Sequence, residues 1–139
     1  MLFETIIEAL EVLDEIKRRP LEEVMASKVL TGCMLWNLYT AVQSTIDLTL
    51  KAIVKLRLPT PETYAEAFQI LSRHKVIPEK LRDKMIEMVR FRHILAHKYA
   101  SIDVEKAYRV MKDNLEDIKL YLKILSDKLS ELNINIESL

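Results

Sequence analysis

Apolar side chains recur at every third or fourth position along nearly the whole chain, which is the spacing of one face of an α-helix. Prolines and short polar stretches interrupt this pattern, and each interruption predicts a loop. The pattern therefore predicts an all-α protein, an up-and-down bundle of about five helices. Their approximate spans are 2–18, 21–57, 61–73, 78–97 and 104–132.

Local signals mark the start of two of these helices. Pro61 follows the clearest loop, and proline suits the first position of a helix because that position needs no N–H donor. Asp103 precedes the last helix, where its carboxylate can accept a hydrogen bond from a free backbone amide. We expect the residues after Leu132 to be frayed, as chain ends often are.

The composition indicates one folded domain. The chain has 139 residues, of which 50% are hydrophobic and 30% are charged, so it can bury a core. One glycine and four prolines are too few turn residues for a strand-rich fold. Because no repeat or linker divides the chain, we expect residues 1–139 to form a single domain.

Cysteine content, hydropathy and charge limit the setting in which the protein works. The lone Cys33 lies among apolar residues, which indicates a buried, reduced thiol. No apolar run reaches the ~20 residues of a membrane span, so we expect a cytoplasmic protein without membrane contact. The formal net charge is zero, so any contact with nucleic acid has to use a local basic patch.

The strongest candidate chemistry lies between Arg92 and Tyr99. Arginine binds a phosphate through two parallel hydrogen bonds, and histidine carries a proton near neutral pH. Arg92 and His97 together suffice to cleave RNA without a metal, because the 2′-hydroxyl of RNA is itself the nucleophile. On an ideal helix the two lie roughly 140° apart, so convergence needs a helix end, a kink or the long arginine side chain. Otherwise Arg92 is a surface residue and His97 a helix cap.

Two further residues support this candidate site. His93 and His97 share a helical face at the spacing of a two-histidine metal pair. No nearby glutamate or cysteine completes such a pair, so we expect no metal and no cofactor, and we expect His93 to line the same cleft as His97. Asp47 lies in the middle of the second helix. It is either a solvent-facing acid or a partner that pairs with Arg92 or orients His97.

The spacing R-x-x-x-x-H-x-Y over 92–99 resembles the signature of the HEPN superfamily, specifically its HepT-like branch. The segment 64–71 resembles the short Tyr-x-Glu-x-Phe helix of that family, and the segment 41–47 resembles the long helix that precedes it. The resemblance covers roughly Leu30 to Leu125. The chain departs from the family at His93, where the usual residue is asparagine.

The resemblance implies a HEPN-fold toxin of a type VII toxin–antitoxin pair. Such a protein is a metal-independent endoribonuclease that works as a homodimer, with two copies of the motif facing one cleft. Arg92 and His97 would be the catalytic residues, with Asp47 and His93, proposed above from their positions, as the supporting ones. The implied partner is a minimal nucleotidyltransferase antitoxin that silences the toxin by attaching AMP to Tyr99.

Two other interpretations of the sequence remain open. The zero net charge suits a non-catalytic helical module, one that binds a nucleotidyltransferase and its nucleotide or substrate, as well as it suits a nuclease. A purely structural bundle with a coincidental motif is the third. Cleavage of RNA in the presence of a chelator, and its loss in His97→Ala, distinguishes the enzyme from both.

Overall fold

The computed structural model describes residues 1–97 and 101–139, which form six α-helices and no β-strand. No helix in these two ranges is long and apolar enough to cross a membrane. The predicted all-α bundle is confirmed. The elements are α1 (Leu2–Ile16), α2 (Leu21–Ala26), α3 (Lys28–Lys55), α4 (Tyr64–Arg73), α5 (Glu79–His97), α6 (Val104–Glu131) and a final 3-10 turn (Ile136–Ser138).

Ser27 divides the predicted second helix into α2 and α3. Its backbone is extended, with φ −114° and ψ 115°, and its hydroxyl oxygen accepts a hydrogen bond from the amide of Leu30 at 3.1 Å. The hydroxyl of Thr31 donates to the carbonyl of Val24 at 2.8 Å, which satisfies the end of α2. Serine is a preferred residue at a helix start because its hydroxyl can accept a hydrogen bond from a free backbone amide of the first turn. Apolar periodicity continues across the break, so periodicity alone predicts one uninterrupted helix.

Side-chain caps set the start of α4 and of α6. The hydroxyl of Thr63 accepts a hydrogen bond from the amide of Glu66 at 3.0 Å, so α4 begins after Thr63 and the predicted start at Pro61 is wrong. The carboxylate of Asp103 accepts one from the amide of Lys106 at 3.2 Å, which confirms the predicted cap of α6.

Within the described residues, three helices are each followed by a left-handed residue that is not glycine. Arg57, Lys75 and Asn133 follow α3, α4 and α6 with φ of 55°, 59° and 59°. In each case the next amide donates to a carbonyl five residues earlier, at 2.8 to 3.0 Å. This is the bonding of a Schellman motif, which usually has glycine at the left-handed position. The lone glycine of the chain, Gly32, lies inside α3.

All six helices contribute to one hydrophobic core, with α3 packed against each of the other five. The last residues also belong to it, so the expectation that they fray is wrong. Ile136 and Leu139 are buried, and the ammonium of Lys51 on α3 donates to the carbonyl of Leu139 at 3.1 Å. The chain end is therefore held by both apolar packing and a hydrogen bond.

A buried hydrogen bond joins α3 to α6 inside this core. The hydroxyl of Thr49 donates its one proton to the carbonyl of Thr45 at 2.8 Å, so the phenol of Tyr121 is the donor to Thr49. Thr49 and Tyr121 are both fully buried. Burial raises the pKa of the Tyr121 phenol far above its ordinary value, because a phenolate there would lose its hydration.

We expect the free energy of unfolding to fall as the pH rises above about 10, because Tyr121 ionises there in the unfolded chain and stays neutral in the folded one. Tyr121→Phe should remove this part of the alkaline loss. At neutral pH it should cost about 1 kcal/mol, the typical contribution of one hydrogen bond. Urea unfolding of both proteins at neutral pH and above pH 10 measures the difference. An equal alkaline loss in the variant would contradict the assignment.

Candidate functional site

The guanidinium of Arg92 joins α5 to both α3 and α4. Arg92 is half-buried, and its Nε donates a hydrogen bond to Oε1 of Gln43 on α3 at 2.5 Å. Its guanidinium carbon lies over the rings of Tyr39 and Tyr64, 5.8 Å and 5.6 Å from the ring centroids. A cation over an aromatic face is attracted by the negative charge density of that face. Three contacts from two other helices therefore hold the side chain in place.

Asp47 reaches Arg92 through Gln43. Nε2 of Gln43 donates to Oδ1 of Asp47 at 2.9 Å, one helical turn further along α3. In the part of the chain that the structure describes, Asp47 forms no ion pair with Arg92 and no hydrogen bond with His97, so of the roles left open for it the structure shows only this indirect link to Arg92. The carboxylate also orients the amide. The reverse orientation would place a donor against Arg92 and an acceptor against Asp47.

The two histidines lie on a different face of α5. This helix is continuous to His97, so it does not end between Arg92 and His97. The rings of His93 and His97 are both exposed and meet edge to face, with centroids 4.8 Å apart and planes at 72°. Tyr64 is the link between the histidine pair and Arg92, since its ring lies against the guanidinium and the residue also lines the cleft that holds the histidines.

That cleft opens between the start of α4 and the end of α5 and has a volume of about 550 Å³. His93 lines it together with His97, as their four-residue spacing predicts. Among its lining residues Arg90 carries the one permanent charge, and none has a carboxylate. The lining is Thr63, Tyr64, Ala65, Val89, Arg90, His93, Ile94 and His97.

The other site predictions concern metal binding and modification. Across residues 1–97 and 101–139, no group of three or more His, Cys, Asp or Glu side chains is placed to hold a metal ion. Among these described residues the histidine pair accordingly has no third protein ligand. Tyr99, the predicted site of modification, lies outside the described residues.

The sequence interpretation missed three residues that surround Arg92, namely Tyr39, Gln43 and Tyr64. A signal for two of them was present in the sequence. Tyr39, Gln43 and Asp47 follow one another at four-residue steps, which places three polar side chains on one face of a largely apolar helix. Tyr64 lies on another helix, α4, so no spacing within α3 predicts its contact with Arg92.

Several solved structures share this fold. A chain from a toxin–antitoxin complex with AMP-PNP has a TM-score of 0.81 at 18% identity, covering 91% of this chain and 95% of that one. A tri-AMPylated HEPN toxin from Shewanella oneidensis in complex with its MNT antitoxin gives 0.70 at 19%, over 88% and 97%. The Bacillus subtilis cytosolic protein of unknown function YutE gives 0.74 at 17%, over 92% and 90%. At these identities the likeness establishes the fold alone.

The family is established by the sequence match. No curated protein sequence matches the chain. The family described as "Ribonuclease HepT-like" matches residues 6–125, which include Arg92 and His97. The resemblance found in the sequence is confirmed by this match. The chain belongs to the HepT-like family.

Proposed function

We propose that this chain is a metal-independent endoribonuclease and the toxin of a toxin–antitoxin pair. The observation that carries the proposal is the way Arg92 is held. Among the described residues its hydrogen bond is made by Nε, which leaves both terminal NH₂ groups for a ligand. Those two groups form the edge that binds a phosphate through parallel hydrogen bonds. Because the net charge of the chain is zero, contact with RNA requires a local cationic site, and Arg92 provides one.

The proposed reaction is transesterification within RNA. The 2′-oxygen attacks the adjacent phosphorus and loses its proton to a base, and the bond from phosphorus to the 5′-oxygen breaks. A proton delivered to the 5′-oxygen completes the step, which leaves a 2′,3′-cyclic phosphate and a 5′-hydroxyl. His97 carries a proton, and Arg92 stabilises the extra negative charge on the phosphorane. Because one histidine cannot be base and acid in the same step, a second proton carrier is needed, and we propose that a second copy of the chain supplies it.

The surface proposed for that second copy is the outer stripe of α3. Its members are spaced alternately four and three residues apart, and none of them is buried. Trp36 is 62% exposed, Val54 is 74% exposed and Val29 is 80% exposed. Exposed aromatic and aliphatic side chains on one face favour a symmetric interface. The stripe consists of Val29, Cys33, Trp36, Thr40, Gln43, Asp47, Leu50 and Val54.

Two details of the outer stripe support a second copy there. Gln43 and Asp47 belong to it, so two chains paired along it would bring their Arg92 sites close together. Gly32 adjoins Trp36, and a Cβ added at Gly32 would meet no atom within 4 Å. Nothing in the described part of the chain therefore requires glycine at this position, although glycine in a helix costs roughly 0.5–1 kcal/mol relative to alanine. A glycine at this position would allow a helix of the second copy to approach α3 closely.

The proposed antitoxin partner is a minimal nucleotidyltransferase that transfers AMP from ATP to Tyr99. The phenol oxygen attacks the α-phosphorus, pyrophosphate leaves, and the phenol loses its proton. The position of Tyr99 two residues after His97 supports this, as does the similarity to an AMPylated HEPN toxin found with its MNT antitoxin. An added phosphate would occupy Arg92 and exclude RNA.

For catalysis, we expect His97→Ala and Arg92→Ala each to slow RNA cleavage by about 10²–10⁴-fold in the presence of EDTA, with an unchanged helical CD spectrum. The assay follows a labelled RNA on a gel and identifies the cyclic phosphate by mass. His74→Ala is the matched control, because His74 is an exposed histidine at the end of α4, outside the cleft.

Two further variants test whether His93 and Gln43 contribute less to activity than His97 and Arg92. His93→Asn should keep more activity than His97→Ala, since asparagine is usual at that position in the family. Gln43→Leu should reduce kcat/KM less than Arg92→Ala, because the cation remains but loses its anchor. Full activity in His97→Ala would exclude the mechanism. A wild-type protein that cleaves no RNA in EDTA would favour the binding module instead.

For assembly, we expect the wild-type protein to be a dimer at micromolar concentration and Trp36→Glu to be a monomer. An unpaired carboxylate buried in the interface carries a large desolvation cost. Light scattering coupled to gel filtration gives the mass directly. Leu120→Glu, at a position 50% exposed on α6, is the control and should remain dimeric. A dimer that persists in Trp36→Glu would move the interface away from α3.

For regulation, we expect Tyr99→Phe to cleave RNA and to escape silencing by the nucleotidyltransferase. Intact-mass spectrometry after co-expression with that partner should show added AMP on the wild-type chain and none on Tyr99→Phe. Tyr108→Phe, which loses a tyrosine hydroxyl on α6 that donates to the carbonyl of Arg19, should still be modified. An adduct that persists in Tyr99→Phe would assign the modification to another residue.

A further inference from the structure

We propose that the cleft between α4 and α5 is a subsite for one base of the bound RNA, seated against Tyr64 beside the cleaved phosphate. This inference rests on the proposed nuclease function and adds a place for the base, which Arg92 and His97 do not provide. The occupant is a nucleotide whose base enters the cleft and whose phosphate stays at the rim.

The shape and surface of the cleft suit a flat apolar group. Its volume of about 550 Å³ falls within the roughly 300–1,000 Å³ of ordinary ligand pockets. One wall is formed by Tyr64 and Ala65 on α4, and the other by Val89 and Ile94 on α5. The hydroxyl of Thr63 at the edge already caps α4, so it is committed to the protein backbone.

The charge around the cleft suits a phosphate attached to that group. Arg90, His93 and His97 are lining residues, and all three side chains are exposed. None of the described lining residues is acidic, so no carboxylate lines the cleft to repel an anion. An apolar interior with a cationic rim matches a nucleotide, whose base is flat and largely apolar and whose phosphate is negative.

Tyr64 is held in a position where it can stack. Arg92 lies over its ring at 5.6 Å, and Arg92 also lies over the ring of Tyr39 at 5.8 Å. Because Tyr64 is also a lining residue of the cleft, a base that stacks on its ring there would extend the series Tyr39, Arg92, Tyr64 by one member. Stacking of this kind tolerates any base, since every base has an aromatic face. We therefore infer a weak preference for base size and little selection by hydrogen bonding.

The test compares two ligands that differ only in the base. Adenosine 5′-monophosphate and ribose 5-phosphate are titrated into the full-length wild-type protein, with calorimetry as the readout. We expect the nucleotide to bind about 5- to 150-fold more tightly, the ratio that one stacked base contributes. Equal affinities would overturn the subsite. This arm needs no variant and no RNA cleavage.

A second arm fills the cleft. Ala65→Phe should abolish the preference for the nucleotide while leaving the affinity for ribose 5-phosphate unchanged. Gln69→Phe is the matched control, because Gln69 lies one turn along α4, is exposed and does not line the cleft. If Ala65→Phe keeps the preference for the nucleotide, the base does not occupy this cleft and the proposal fails.

The outcomes separate this proposal from the nuclease function. A wild-type protein that prefers the nucleotide yet cleaves no RNA would retain the subsite as a nucleotide site and remove the nuclease assignment. A protein that cleaves RNA but binds both ligands equally would keep the nuclease and lose the subsite.

Discussion

The site depends on how the cation of Arg92 is held without being neutralised. A half-buried guanidinium has lost part of its hydration and needs compensating contacts. Two aromatic faces and the amide oxygen of Gln43 supply them. A carboxylate in direct contact with Arg92 would also have satisfied it, but it would then compete with any phosphate for the same charge. The neutral glutamine fixes the side chain and leaves its full charge for a ligand.

Asp47 contributes to this arrangement indirectly, through Gln43. Its carboxylate accepts from the amide nitrogen of Gln43, which turns the amide oxygen towards Arg92. The same two residues lie on the outer stripe of α3, so the anchor of the cation and the proposed surface for a second copy are one continuous region. On the other side, Tyr64 connects the cation to the cleft that holds His93 and His97. The proposed phosphate, base and dimer contacts thus share a small set of side chains.

Much of the fold follows from local patterns in the sequence. Apolar spacing predicts the helices, and Asp103 predicts the start of α6 because a side-chain cap acts within one turn. The predictions were wrong at helix breaks and at the chain end, where the same local sequence is compatible with more than one structure. Ser27 breaks a helix across which the apolar pattern continues. The left-handed conformations of Arg57, Lys75 and Asn133 were not predicted, because residues other than glycine adopt that conformation infrequently. Ile136 and Leu139 are held by distant partners, which no terminal pattern reveals.

The sequence by itself determined the helical class, the family and the residues of one helix that share a face. The pairs His93–His97 and Gln43–Asp47 follow from four-residue spacing, because a helix repeats every 3.6 residues. Only the tertiary structure decided which helices meet and at what rotation. That rotation is set by the packing of the whole core, and it places Arg92 against Tyr39, Gln43 and Tyr64 while His97 faces the cleft. Contacts between helices arise from the sum of many apolar contacts, so no short motif encodes them.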